Sequence, residues 1–112
     1  MKLIVAIVKP EKLDVIRQAL MAAGVAHMTV SRATGHGKLD EAELYRGVEF
    51  VPDLTPKVRL EIAVAREMVE TTINAIVGSA RSHGERGDGK IFVLPLEQCV
   101  RIRTGEQGPD AL

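Results

Sequence analysis

Tryptophan is absent, and 112 residues include one tyrosine and two phenylalanines. So few rings exclude the aromatic stacking platform on which single-stranded nucleic acid is usually held. The lone cysteine, Cys99, excludes an intrachain disulfide framework and a cysteine-based zinc site. There is no excess of either sign of charge, because fifteen basic residues balance fifteen acidic ones. That balance argues against a general electrostatic grip on nucleic acid or anionic membrane, and leaves room for a local basic cluster. No apolar run approaches the roughly 18–20 residues that span a bilayer. The apolar stretch from Leu3 to Val8 stops at Lys9-Pro10, too short for the apolar segment of a signal peptide. A cytoplasmic protein without a nucleic-acid partner is the expectation.

What is present reads as a single domain over residues 1–112, with a long loop at about 36–55 and a C-terminal tail at about 104–112. A chain this short buries only about 60–70% of its unfolded surface, so a second subunit would add much to its core. Residues 3–8 are rich in branched apolar side chains and read as a buried strand. Between residues 11 and 23 the period changes: Leu13, Ile16 and Leu20 recur at helical spacing, Pro10 suits the first turn, and Gly24 suits a left-handed stop. Residues 25–35 alternate like a strand, as do residues 57–65, where Val58, Leu60, Ile62 and Val64 share one face. A second helix is expected over about 67–82, a strand over 91–96, and a short extended piece over 100–103. The order β-α-β-loop-β-α-β is the ferredoxin-like α+β arrangement, with helices on one face of an antiparallel sheet. The other face is apolar enough to need cover, and oligomerisation would supply it.

The densest local signal is Gly84-Glu85-Arg86-Gly87-Asp88-Gly89-Lys90. Closely spaced glycines let successive backbone N–H groups point inward and form an anion-binding concavity, to which Lys90 adds a positive charge. No Gly-Lys-Ser/Thr opens a helix here, so this is not a Walker loop; a plain surface turn is the competing reading. In an extended segment Arg101 and Arg103 would present two guanidiniums on one face, suited to polyphosphate. Lys57 would complete a phosphate site built from separated elements. His27, His36 and His83 lack metal-ligand spacing. A gathering of His36 with Asp40, Glu41 and Glu43 about a metal is outweighed by a solvated charged loop. Ser79, Ser82, Thr55 and Cys99 form no nucleophile–base pattern. The chain is therefore read as a non-enzyme with no metal site.

Longer segments carry a resemblance. Ile7-Val8-Lys9-Pro10, Met28-Thr29-Val30, Gly35 and Gly37 with one residue between them, Glu43-Leu44-Tyr45-Arg46-Gly47, Pro56-Lys57-Val58, Gly87-Asp88-Gly89-Lys90-Ile91-Phe92-Val93 and Arg101-Ile102-Arg103-Thr104-Gly105-Glu106 follow one another in this order. The chain resembles the P-II nitrogen-regulatory signal-transduction family over essentially its whole length. The resemblance implies a homotrimer of ferredoxin-like subunits that bind adenine nucleotide between neighbours, with ATP, ADP and AMP as the ligands considered and no required cofactor. It implies regulation of a protein target, a membrane transporter or a metabolic enzyme, through a ligand-dependent loop. By position, Thr29, Glu61 and the backbone of Ala63 and Val64 should surround the adenine. Gly87, Asp88, Gly89 and Lys90 should hold phosphates with Arg101 and Arg103, while Gly35, Gly37 and Lys38 should reach the site from the loop base.

The departures from the family pattern define the remaining expectations. The glutamine that ligates magnesium beside 2-oxoglutarate in the family is replaced by Leu39, which has no oxygen for a hard cation. Lys57 matches the lysine that meets the 2-oxoglutarate carboxylate, so half of that anion site remains and magnesium and 2-oxoglutarate are both in question. The alternative is a divergent regulator, responsive to ADP or AMP, of a bicarbonate-uptake or metal-efflux system, with 2-oxoglutarate sensing lost. A slow nucleotide hydrolase and an RNA-binding module are weaker rivals: Leu39 cannot orient water, and the strands lack the aromatic RNA-binding motif. The position of the family's modified loop tyrosine is Phe50, and that of its phosphorylated serine is Val48. Intact-mass analysis of the protein from cells is accordingly expected to show no nucleotidyl adduct, and an adduct on Tyr45 would contradict this.

Overall fold

The structure is a computed structural model and describes residues 1–36, 44–45, 48–49, 54–83 and 87–112. Strand β1, Lys2–Val8, is followed by a 3-10 turn at Pro10–Lys12 and helix α1 at Leu13–Ala22. Strand β2 is Thr29–Gly35, and two short strands, β3 at Leu44–Tyr45 and β4 at Val48–Glu49, pair with each other. Strand β5 is Thr55–Val64, helix α2 is Val69–Ala80 after a 3-10 turn at Arg66–Met68, and strand β6 is Gly89–Pro95. The main sheet has the order β2-β5-β1-β6, and all of its pairings are antiparallel. This is the ferredoxin-like α+β fold, in which β5 separates β1 from β2.

Side-chain alternation divides the sheet into two unlike faces. Ile4, Ala6, Val8, Leu60 and Ile62 are buried together with Ile16 and Leu20 of α1 and Ile76 of α2. The alternate positions form an open face that no helix covers. One row across it reads Ser31, Arg59, Ile7, Lys90, and the next reads Thr29, Glu61, Val5, Phe92. Phe92 and Leu94 remain 49% and 43% exposed, so this face ends in an apolar edge.

The turns follow from particular residues. The N–H of Val25 donates to the Leu20 carbonyl, and that of Gly24 donates to the Met21 carbonyl, with Gly24 at φ +87°. These two bonds make a Schellman cap, and burial of Val25 beside Leu20 supplies its hydrophobic contact. The cap takes up the start of the segment expected to be extended, so β2 begins only at Thr29. Within α2, Thr72 is fully buried, and its hydroxyl donates to the Met68 carbonyl at 2.7 Å. The buried hydroxyl is thereby satisfied.

Two expectations are corrected. Leu44–Tyr45 and Val48–Glu49, read as loop, form a two-residue antiparallel ribbon; the remainder of residues 37–53 lies outside the described residues. Residues 100–103 are not an extended strand. The Arg101 N–H donates to the Glu106 carbonyl, the Gly105 N–H returns to the Arg101 carbonyl, and Val100 bridges Gln107. Gly105 at φ +74° permits this reversal, so the segment satisfies its backbone locally and places Ile102, 99% exposed, on a turn.

Leu60 is wholly buried between the sheet and both helices. Leu60→Ala should cost about 2–5 kcal/mol in urea unfolding, whereas Val15→Ala on the exposed side of α1 should change stability by less than about 0.5 kcal/mol.

Candidate functional site

Four strand termini meet at one end of the sheet: the C-terminal ends of β1 and β2 and the N-terminal ends of β5 and β6. Basic residues collect there although the chain is neutral as a whole. Lys9 follows β1, Lys57 and Arg59 open β5, and Lys90 opens β6. Alternation puts Lys57, Arg59 and Lys90 on the open face, opposite Ala33, Ser31 and Ile7 respectively. The local positive cluster that the composition left room for is therefore produced by topology.

The glycine-rich segment enters this cluster under tight steric control. Gly87 and Gly89 lie at φ +81° and +117°, in the region that favours glycine. At Gly89 a Cβ would stand 1.9 Å from the Ile7 carbonyl oxygen, so no other residue fits without moving β1 or β6. Lys57 ties two pieces together. Its Nζ donates to the Gly87 carbonyl at 3.3 Å, and its Cγ lies 3.2 Å from where a Gly35 Cβ would be. The long loop leaves the sheet at Gly35, so its exit and the glycine segment share one side chain.

The Asp88 side chain has partners of its own. The Ser82 N–H donates to its Oδ2 at 2.9 Å, the Ser82 hydroxyl donates to its Oδ1, and Lys9 Nζ lies 3.6 Å from Oδ1. The Ser82 hydroxyl bond and then its backbone bond, helped to a lesser degree by Lys9, hold the Asp88 carboxyl below its ordinary value against the opposing effect of burial. A carboxylate cannot itself bind phosphate, so the part Asp88 can play in an anion site is through its backbone N–H. Beside it, a cleft of about 380 Å³ opens between α2 and β6, with Asp88, Gly89 and Lys90 at its rim.

Of the other candidates, Thr29 and Glu61 stand directly opposite each other on the open face, and Arg59 Nε pairs with Glu61 Oε1 at 2.9 Å. Ala63 is also on that face, opposite Leu3, whereas Val64 turns its side chain into the core and offers only backbone. Gly37 and Lys38 lie outside the described residues. Arg101 is engaged elsewhere: Nη1 lies 3.6 Å from Glu106 Oε1, and Nη2 donates to the Leu112 main-chain oxygen at 3.2 Å. Arg103 sits on the adjoining turn. Thus the structure gathers Gly35, Lys57, Gly87, Asp88, Gly89 and Lys90, and it leaves the two arginines on a separate hairpin. Sequence reading missed Ser82 and Lys9 as partners of Asp88. The signal was a hydroxyl directly after a helix and six residues before an aspartate, too common a pattern to single out.

The site thus belongs to a ferredoxin-like α+β protein with a basic, glycine-lined sheet end at which β2 finishes and β5 begins. Residues 1–106 match the model of the nitrogen regulatory protein P-II family. The chain is 50% identical to the nitrogen regulatory protein P-II of Cereibacter sphaeroides and 50% identical to that of Rhodobacter capsulatus. It is 46% identical to the protein of that name from Haemophilus influenzae, and in all three cases the full length of both chains is covered. The chain belongs to the P-II family and is a signal-transduction regulator in nitrogen regulation. These relatives are named as regulatory proteins rather than enzymes. The alternative of a bicarbonate-uptake or metal-efflux regulator gains no support from them. Among the described residues no helix is long and apolar enough to cross a membrane.

The depressed Asp88 pKa fixes a sign. A carboxyl held lower in the folded chain stabilises it above the unfolded value, and that contribution is lost as pH falls through the folded value. Carbon-detected NMR should place the Asp88 midpoint below that of an ordinary aspartate, and Ser82→Ala should move it upward.

Proposed function

We propose that the protein is a non-catalytic adenine-nucleotide sensor, binding ATP and ADP at the basic end of the sheet and regulating a protein target through the loop that leaves at Gly35. The observation that carries this reading is the position of Lys57, which donates to the Gly87 carbonyl while its stem fills the space where a Gly35 side chain would stand. An anion placed beside Gly87 would compete for that ammonium. A nucleotide shifts the loop only through unequal affinity for the loop's states, and a shared side chain at its exit is one source of such inequality. The non-enzyme reading is supported by the regulatory names of the relatives.

We further propose a homotrimer. Two features support it: the open sheet face with exposed Phe92 and Leu94, and the placement of Arg101 and Arg103 on a hairpin apart from the glycine segment. If each hairpin serves a neighbour's glycine segment, both are used, and Arg101 exchanges its Glu106 pairing for a phosphate. Thr29, Glu61 and the backbone of Ala63 and Val64 would then adjoin the adenine. The target would be a transporter or a metabolic enzyme of nitrogen assimilation, met in the cytoplasm.

The same site is poor in ligands for 2-oxoglutarate. Lys57 offers one cation, Leu39 offers no metal ligand, and a single exposed ion pair contributes only about 0–1 kcal/mol. Calorimetry should therefore show ATP and ADP binding, modest help from magnesium to ATP, and little or no added heat from 2-oxoglutarate. Arg101→Ala or Arg103→Ala should weaken ADP by about 1.5–3 kcal/mol, the range for hydrogen bonds to charged groups. Unchanged ADP affinity in both variants would place the phosphates elsewhere. Micromolar 2-oxoglutarate binding to the Mg-ATP form would show that another residue stands in for the missing glutamine.

A further inference from the structure

The glycine segment is anchored at two levels. Gly89 is pressed against the Ile7 carbonyl, which fixes the backbone where it joins β6. One residue earlier, the Asp88 side chain reaches back across the segment to Ser82, which stands just beyond the end of α2, and sideways to Lys9, just beyond the end of β1. Ser82 contributes both its backbone N–H and its hydroxyl, a two-point grip that fixes the orientation of the carboxylate as well as its distance. Three elements of the fold thus converge on one carboxylate. An unheld carboxylate in an anion site would repel phosphate, and it could also bond the very N–H groups that phosphate requires.

The geometry points to Ser82 and Lys9 as positioning residues for phosphate: they turn the Asp88 carboxylate away from the ligand and hold the 87–90 backbone in its anion-accepting shape before any ligand arrives. This inference rests on the nucleotide reading given above. Ser82 orients and Lys9 neutralises, and neither need touch the nucleotide. Preorganisation of this kind raises affinity by removing the ordering cost that a loose loop would otherwise add to binding. The contribution is specific to phosphate, because Ser82 bonds the Asp88 carboxylate, whereas Thr29 and Glu61, proposed to adjoin the adenine, stand opposite each other on β2 and β5.

The test compares the wild type with Ser82→Ala, Ser82→Thr and Lys9→Gln, using ADP by calorimetry and adenosine by NMR titration. Removing a hydrogen bond to a charged group should weaken ADP roughly tenfold in Ser82→Ala. Adenosine, which has no phosphate, should bind that variant as it binds the wild type. Ser82→Thr should restore ADP affinity, and Lys9→Gln should reproduce the selective loss. Amide exchange at residues 88–90 without ligand should be faster in Ser82→Ala and normal in Ser82→Thr. Equal loss of ADP and adenosine would show a merely structural role and overturn the proposal, as would undiminished ADP binding by Ser82→Ala. A wild type that binds neither ADP nor ATP would instead remove the nucleotide reading itself, and with it the role assigned to Ser82.

Discussion

The contact between the Gly89 backbone and the Ile7 carbonyl constrains everything around it. The Gly89 backbone is turned so that a single carbon atom added at position 89 would overlap the neighbouring β1. Because the contact occurs where β6 begins, the preceding residues must turn sharply, and the positive φ values at Gly87 and Gly89 accomplish the turn. That turn delivers Asp88 to Ser82 and Lys9, and it presents the Gly87 carbonyl to Lys57. The chemistry of the sheet end is thus an outcome of backbone packing first and of charge second.

The same logic explains how a chain of zero net charge builds a cationic site. Lys9, Lys57, Arg59 and Lys90 are spread widely along the sequence, and the β2-β5-β1-β6 order draws them to one end. Antiparallel pairing joins strand ends of opposite polarity, so residues from the start of β5 and β6 meet residues from the end of β1 and β2. Glu61 is paired within the site by Arg59, and Asp88 is held by Ser82 and Lys9. The acidic groups described near the cluster therefore act as internal struts rather than as competing charges.

Much of the architecture was legible because period and burial agree. The alternation through Val58, Leu60, Ile62 and Val64 matches the buried face of β5, and Ile16 and Leu20 lie where helical spacing places them. Gly24 was legible as a helix stop, since only a residue tolerant of positive φ closes a Schellman cap readily. The segment 100–103 was misread because β-like composition is not a pairing partner. With Gly105 able to reverse the chain, the local bonds between Arg101 and residues 105–106 took the place of a strand neighbour. The Asp88 grip was illegible for a related reason: it depends on where α2 ends and on the nearness of β1, which no spacing along the chain encodes.

The central place of β1 has a consequence for how the chain comes to be folded. Strand β1 pairs on one side with β5 and on the other with β6, the last strand of the sheet. Neither partner adjoins it in sequence, so the hydrogen bonds of this apolar strand can be made only after β5 and β6 have been synthesised. Loop closures of that length slow the search for the native state, and an unpaired apolar strand is a template for association with other chains. Both edges of β1 are therefore covered only once β6, beginning at Gly89, has paired beside Val8.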